Sequence, residues 1–267
     1  DTNGTVSITS TAIDAGSTDN CSAFTLSLND SIFDCSNTSG PVTIILTGTD
    51  PAGNFDTAQA QITVLDTLAP NAVASDTTIY VNGAGNINIT AAQIGYASTD
   101  NCSIVSFSLS DSSFDCTEIG TNSIVLTIID ANGNSDTDTA VVTVLDTISP
   151  NAITIDTTIY LDNNGLASVS SFEIGYLSND NCAIDSLILS DSTFDCSEAG
   201  LNVITLTVID VNGNSSITTS NITVIDSVSP SALAIDTTIY LDATGNISIS
   251  SFEIGYGSTD NCNIVSF

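Results

Sequence analysis

Residues 123–146 read SIVLTIID (123–130), ANGNSDTD (131–138), TAVVTVLD (139–146): two alternating apolar runs around an Asn-Gly turn. Ile124, Leu126 and Ile128 alternate in the first run, and Val142 and Val144 in the second. Alternation with period two puts one side of each run on a core, and Asn-Gly between such runs is a strong local signal for a β-hairpin.

The surroundings of this hairpin recur. STDNCSIVSF (98–107), SNDNCAIDSL (178–187) and STDNCNIVSF (258–267) place Cys102, Cys182 and Cys262 at intervals of 80 residues, and Cys21 in STDNCSAFTL (17–26) lies 81 residues before Cys102. A fixed period of this size marks a tandem array. TLAPNA (67–72), TISPNA (147–152) and SVSPSA (227–232) are Pro-containing joints between units. The boundaries follow: a partial repeat at 1–66 lacking its first strand, complete repeats at 67–146 and 147–226, and a partial repeat at 227–267 that stops in mid-core at Phe267.

Within 67–146, DTTIYV (76–81) is β-branched and aromatic, NGAG (82–85) is a turn, and NINIT (86–90) alternates. AAQIGYASTDNC (91–102) is a long connection. SIVSFSLS (103–110) puts Val105, Phe107 and Leu109 on one face, matched by Phe24, Leu26 and Leu28 and by Leu187 and Leu189. Asp185 replaces Val105, so that end of the strand is expected to face water. About seven short strands in 80 residues predict an all-β fold, a tandem array of immunoglobulin-like β-sandwiches. Short Pro-containing joints predict an extended, semi-rigid rod.

The chain has no Lys, Arg or His against 31 Asp plus Glu, a net charge of −31. Such a surface excludes nucleic acid, because nothing neutralises phosphate, and disfavours anionic membranes. Trypsin has no site in it. At 42% hydrophobic residues the chain is too apolar to be a disordered acidic polymer. No apolar run approaches the roughly 18 residues of a membrane span.

Spacing pairs Cys21 with Cys35, Cys102 with Cys116 and Cys182 with Cys196, each 14 residues apart, leaving Cys262 over. Disulfides imply an oxidising compartment and would contribute about 3 kcal/mol for a loop of this size. Free buried thiols and a metal site are the alternatives, the latter poor without His. The geometry is under tension: a tight turn at 111–113 sets Cys116 opposite residue 107, so a bridge to Cys102 needs FDC (114–116) to leave the hairpin.

Calcium is the sharper candidate ligand, because Ca²⁺ takes six to eight oxygens. Asp130, Asn132 and Asn134 recur as Asp210, Asn212 and Asn214, while DPAGN in the first repeat keeps only Asp50 and Asn54. In an immunoglobulin-type sandwich, Asp66, Asp100 and Asp130 would gather at one junction. Asp146, Asp180 and Asp210 would gather at the next, and Asp226 with Asp260 at a third. Carboxylates without a basic partner are costly unless a cation joins them. The alternative is that Asn-Gly only makes a hairpin and the aspartates cap strand ends. Catalysis has little to work with: carboxylate pairs such as Asp115 and Glu118 repeat as Asp195 and Glu198, unlike an active site.

Asp-Ser/Thr triplets place Thr67, Thr77, Thr147, Thr157, Ser227 and Thr237 in sequences that resemble the O-glycosylation acceptor motif of Bacteroidota. N-x-Ser/Thr sequons occur at Asn88 and Asn221.

The series TDNC, FDC, G-x-N-x-[IV]-x-LT-[IV]-ID-x-NGN and VTV-[IL]-D-T-x-[AS]-P resembles hyalin-repeat (HYR-like) immunoglobulin-type modules of giant Bacteroidota surface proteins. The absence of basic residues resembles the repeat region of SprB-type gliding adhesins. The resemblance covers essentially the whole chain and implies export by the type IX system and a role in long surface filaments. The expected function is a stalk segment of an extracellular, cell-surface filament or adhesin, not an enzyme. Its partners would be neighbouring repeats, with surfaces or polysaccharide bound by regions outside this segment. A spacer in a secreted multidomain enzyme, a sheath or surface layer, and a sugar-binding module are the alternatives; the last is disfavoured by zero Trp and six Tyr.

Overall fold

The computed structural model describes residues 2–21 and 23–264. Asp1, Ser22 and 265–267, where the expected mid-core end at Phe267 falls, lie outside the described residues. The chain divides into two compact units, Asp1–Val81 with Asn86–Leu145, and Asn82–Gly85 with Asp146–Phe267.

The first unit begins with β1 (Thr5–Ser7), α1 (Ser10–Ile13), β2 (Thr25–Leu28), β3 (Ile32–Asp34), β4 (Val42–Thr49) and β5 (Phe55–Ile62). It continues with β6 (Thr77–Tyr80), β7 (Asn86–Asn88), α2 (Ala91–Ile94), β8 (Ile104–Leu109), β9 (Ser113–Asp115), β10 (Gly120–Asp130) and β11 (Ser135–Leu145). Here β6-β11-β10-β8 form one sheet, with β6 parallel to β11, and β7-β9 form a second. The Asn-Gly hairpin is β10–β11, in register from Gly120↔Val144 to Ile129↔Ser135. Ile124, Leu126, Ile128, Val142 and Val144 are all buried, as their alternation requires. Phe114 of β9 is buried too, opposite Ile87. The first repeat has the same layers in shorter form, β2-β4-β5 and β1-β3, with Phe33, Ile44 and Val64 in its core.

The second unit repeats the plan with β12 (Thr157–Tyr160), β13 (Leu166–Ser168), α3 (Ser171–Gly175), β14 (Ile184–Leu189), β15 (Thr193–Asp195), β16 (Gly200–Asp210), β17 (Ser215–Ile225) and α4 (Ser251–Gly255). Phe194 from the β13-β15 sheet packs with Ile204, Ile222 and Val224 from the other sheet, together with Leu161 and Ile174. Two sheets around one apolar layer make each complete repeat a β-sandwich.

Three details differ from expectation. Each complete repeat holds six strands rather than about seven; the segment after the joint adds only single bridges, Asn71↔Thr99 and Asn151↔Asn179. The long connection carries a short helix, α2 or α3, closed at its start by a capping box, Thr90 with Gln93 and Ser170 with Glu173. Val105 is 64% exposed instead of joining the core face. The register of β8 shifts between Ile129 and Asp130, so Val105 is the extra residue of a bulge. Asp185 occupies the same bulge in β14 and is exposed.

Candidate metal centre at the repeat junctions

Asp130 ends β10, and its register partner Ile104 opens β8 directly after the Asp100-Asn101-Cys102 loop. Sheet pairing therefore carries Asp100 to Asp130. The Asn134 side chain donates to the Asp66 carbonyl at 3.2 Å, and the Asn101 side chain donates to Asp66 Oδ1 at 3.2 Å. These two amides hold the joint against the loops. One carboxylate oxygen from each of Asp66, Asp100 and Asp130 then lies within 4.8 Å of the others.

The second unit builds the same arrangement from Asp146, Asp180 and Asp210, again within 4.8 Å. Asn214 donates to the Asp146 carbonyl at 3.3 Å and Asn181 to Asp146 Oδ1 at 3.2 Å. Asp146 and Asp210 are only 7% and 2% exposed. At the third position Asn261 donates to Asp226 Oδ1 at 3.0 Å, beside Asp260.

Three carboxylates at this spacing are unfavourable alone: at 4.8 Å and an effective dielectric near 20, each pair repels by about 3.5 kcal/mol. No basic side chain exists anywhere to offset it. Local donors satisfy part of the set. Asp130 Oδ1 accepts from the amides of Asn132 and Asn134 at 2.9 and 2.8 Å, and its Oδ2 accepts from the Asn134 side chain at 2.7 Å. Burial pushes the Asp130 pKa upward, but these donors outweigh it and hold the carboxyl below its ordinary value. The rest is unsatisfied: Asp66 Oδ2, Asp100 Oδ1, Asp146 Oδ2 and Asp180 Oδ1 are buried and accept no hydrogen bond from the protein. Buried carboxylate oxygens converging without donors are the donor set of a hard cation, so these residues fit Ca²⁺. Asn212 Oδ1 is buried without a donor as well, whereas Asn132 is exposed and contributes its backbone amide to the loop.

The cysteines overturn the expected pairing. Cys35 is bonded to Cys102, 67 residues on, and Cys196 to Cys262, 66 residues on. Cys116 and Cys182 are also disulfide-bonded, while Cys21 is a free, exposed thiol. The sheet explains why Cys102 cannot reach Cys116. Cys102 precedes the β8 end that pairs with Asp130, and Cys116 precedes Gly120, at the other end of the 11-residue β10. Ten strand steps separate those ends by about 33 Å, whereas a disulfide needs Cα atoms about 5.5 Å apart. FDC does leave the β8 hairpin, as the tension in the sequence demanded, but β9 joins β7 in the other sheet.

Asp115 and Glu118 act as a structural cap. Asp115 Oδ1 accepts from the Thr117 amide at 2.7 Å and hydroxyl at 2.6 Å, and Glu118 Oε2 accepts from the Asp115 amide at 3.1 Å. Asp195 and Glu198 do the same. Of the modification candidates, Thr67, Thr147, Ser227 and Thr237 are exposed and Thr77 and Thr157 half-buried.

Sequence reasoning passed over Asn101, Asn181 and Asn261, whose side chains tie the joint in these DNC motifs. Their fixed place beside the junction cysteines was the available signal.

No protein-family model and no curated protein matches the chain. Among solved structures, protocadherin gamma B7 extracellular cadherin domains 1–4 matches over 82% of this chain and 71% of its own, at 13% identity and a TM-score of 0.35. Drosophila N-cadherin EC1–4 matches over 69% and 57%, at 14% identity and a TM-score of 0.34. The human desmocollin-1 ectodomain matches over 78% and 53%, at 14% identity and a TM-score of 0.29.

Proposed function

We propose that this chain is a stalk segment of an extracellular filament or adhesin, with one repeat junction inside each compact unit locked covalently and Ca²⁺ held at the acidic centres. The observation that carries the reading is the Cys35–Cys102 bond, which joins the first repeat to the second at the place where the three aspartates meet. A protein whose repeats are welded to one another is organised for spanning distance under tension. Its disulfides suit an oxidising compartment, outside the cell. Ca²⁺ would take oxygens from Asp66, Asp100 and Asp130 in the first unit and from Asp146, Asp180 and Asp210 in the second, with Asp226 and Asp260 contributing to a third site. Its positive charge would replace mutual repulsion with attraction.

The finer reading is a gliding adhesin, in which force from a cell-surface motor travels along the stalk to a substratum. Glycans on the exposed Thr67, Thr147 and Ser227 would add protease resistance, and the intact mass of native material reports them directly.

The deciding experiment is fluorescent antibody labelling of the repeat on living cells. Filaments that project and travel along the surface support the motility reading. A static continuous coat points to a sheath, and label confined to the medium sinks the surface stalk. Calorimetry decides the metal: Ca²⁺ raises Tm over excess chelator, by the equivalent of about 2.7 kcal/mol at a hundredfold excess over Kd. An unchanged Tm removes calcium from the proposal.

A further inference from the structure

We infer that the junction disulfides limit how far this chain lengthens under tension, by taking long stretches of it out of the path of force. A pull on the two ends travels along covalent bonds by the shortest route. At Cys35 that route crosses the disulfide to Cys102, whose Cα is 5.3 Å away, and bypasses residues 36–101. At Cys196 it crosses to Cys262, 5.4 Å away, and bypasses 197–261. The bypassed stretches hold β4 to β7 in the first unit and β16, β17 and α4 in the second. These include the long antiparallel hairpins β4–β5 and β16–β17, whose stepwise opening would otherwise lengthen the chain.

Each loop withholds 67 or 66 residue steps, and such a length of unfolded chain spans roughly 220–240 Å at most. With the bonds intact, the hairpins can melt and the contour between the flanking cysteines still does not grow. Cys116 and Cys182, also disulfide-bonded, lie on the stretch left in the path. The acidic centre of the first unit sits beside its bond: the Cys102 amide donates to Asp100 Oδ2 at 2.8 Å. The cation would then set when a junction loosens, and the disulfide would set how far it extends.

This rests on the stalk reading for its use, but its test is separate. The whole chain is pulled by its ends in a single-molecule force instrument, with and without a thiol reductant. Without reductant no lengthening step of roughly 220–240 Å attributable to either loop should appear; with reductant, one such gain per opened loop should. Cys35→Ser should release the first loop alone in the absence of reductant. Should that variant fail to fold, the wild-type comparison still decides. An oxidised chain that lengthens as far as the reduced one overturns the inference. A chain that resists lengthening while cells show label only in the medium would sink the surface stalk and leave the inference standing.

Discussion

The side-chain amide of Asn134 donates to the backbone carbonyl of Asp66, 68 residues earlier, and also to Asp130 Oδ2 at 2.7 Å. One residue therefore holds the hairpin loop closed and fastens the joint to it. Asn134→Ala strips a partner from a buried carboxylate and from a joint carbonyl, which costs about 1–3 kcal/mol. Urea denaturation in chelator measures it, and a loss under about 0.5 kcal/mol would mean that the loop is held by its backbone alone.

The acidic centre predicts a change of sign. Asp100→Asn keeps an acceptor for the Cys102 amide and removes one of three clustered charges. In excess chelator the variant should melt at or above the wild-type temperature, because repulsion is relieved. In millimolar Ca²⁺ it should melt below wild type, because a ligand is gone. Thermal melts in the two buffers test this, and a variant less stable in both shows that the centre is structural without metal.

Two glycines in equivalent turns separate backbone strain from junction packing. Gly165 and Gly245 have φ of +74° and +79°. A Cβ on Gly165 would come within 2.6 Å of both the Asn261 carbonyl and Cys196 Sγ, whereas one on Gly245 meets nothing within 4 Å. Gly245→Ala should cost only the left-handed penalty of about 1–2 kcal/mol. Gly165→Ala should cost more and leave Cys196 and Cys262 partly unoxidised, read as extra maleimide label per chain. Equal costs and equal label would show that the junction yields at no expense.

Asp115 sets an acid limit. The Thr117 hydroxyl and then its amide lower the Asp115 pKa in the folded chain. A carboxyl depressed by folding stabilises above its unfolded pKa, and that contribution is lost as pH falls through the lower folded value, here below about pH 4. The Tm gap between wild type and Asp115→Asn should therefore be present at pH 7 and close by pH 2. A gap of the same size at both pH values would assign Asp115 a role independent of its charge.

The hairpin was legible because Ile124, Leu126, Ile128, Val142 and Val144 repeat with the period of a strand, and period alone specifies which side is buried. Gathering Asp66, Asp100 and Asp130 followed from topology, since strands that neighbour each other bring the loops at one end together. Val105 was misread because a bulge inserts one residue without any mark in the alternation; Asp185 at the same position was the trace it left. The cysteine pairing is not legible in the 14-residue spacing, because nearness along the chain is not nearness in space. Placing Asp100 at the junction already placed Cys102 there, two residues away and a full strand length from Cys116.

The Cys35–Cys102 bond also fixes an order of maturation. Cys35 emerges 67 residues before the thiol it needs and Cys196 66 residues before its own, so each waits as a sulfhydryl for a later repeat. Inside each unit the later cysteine, Cys102 or Cys262, closes a bond to a repeat whose own cysteine was made before it. The unit copied in the gene and the unit closed by chemistry are out of phase.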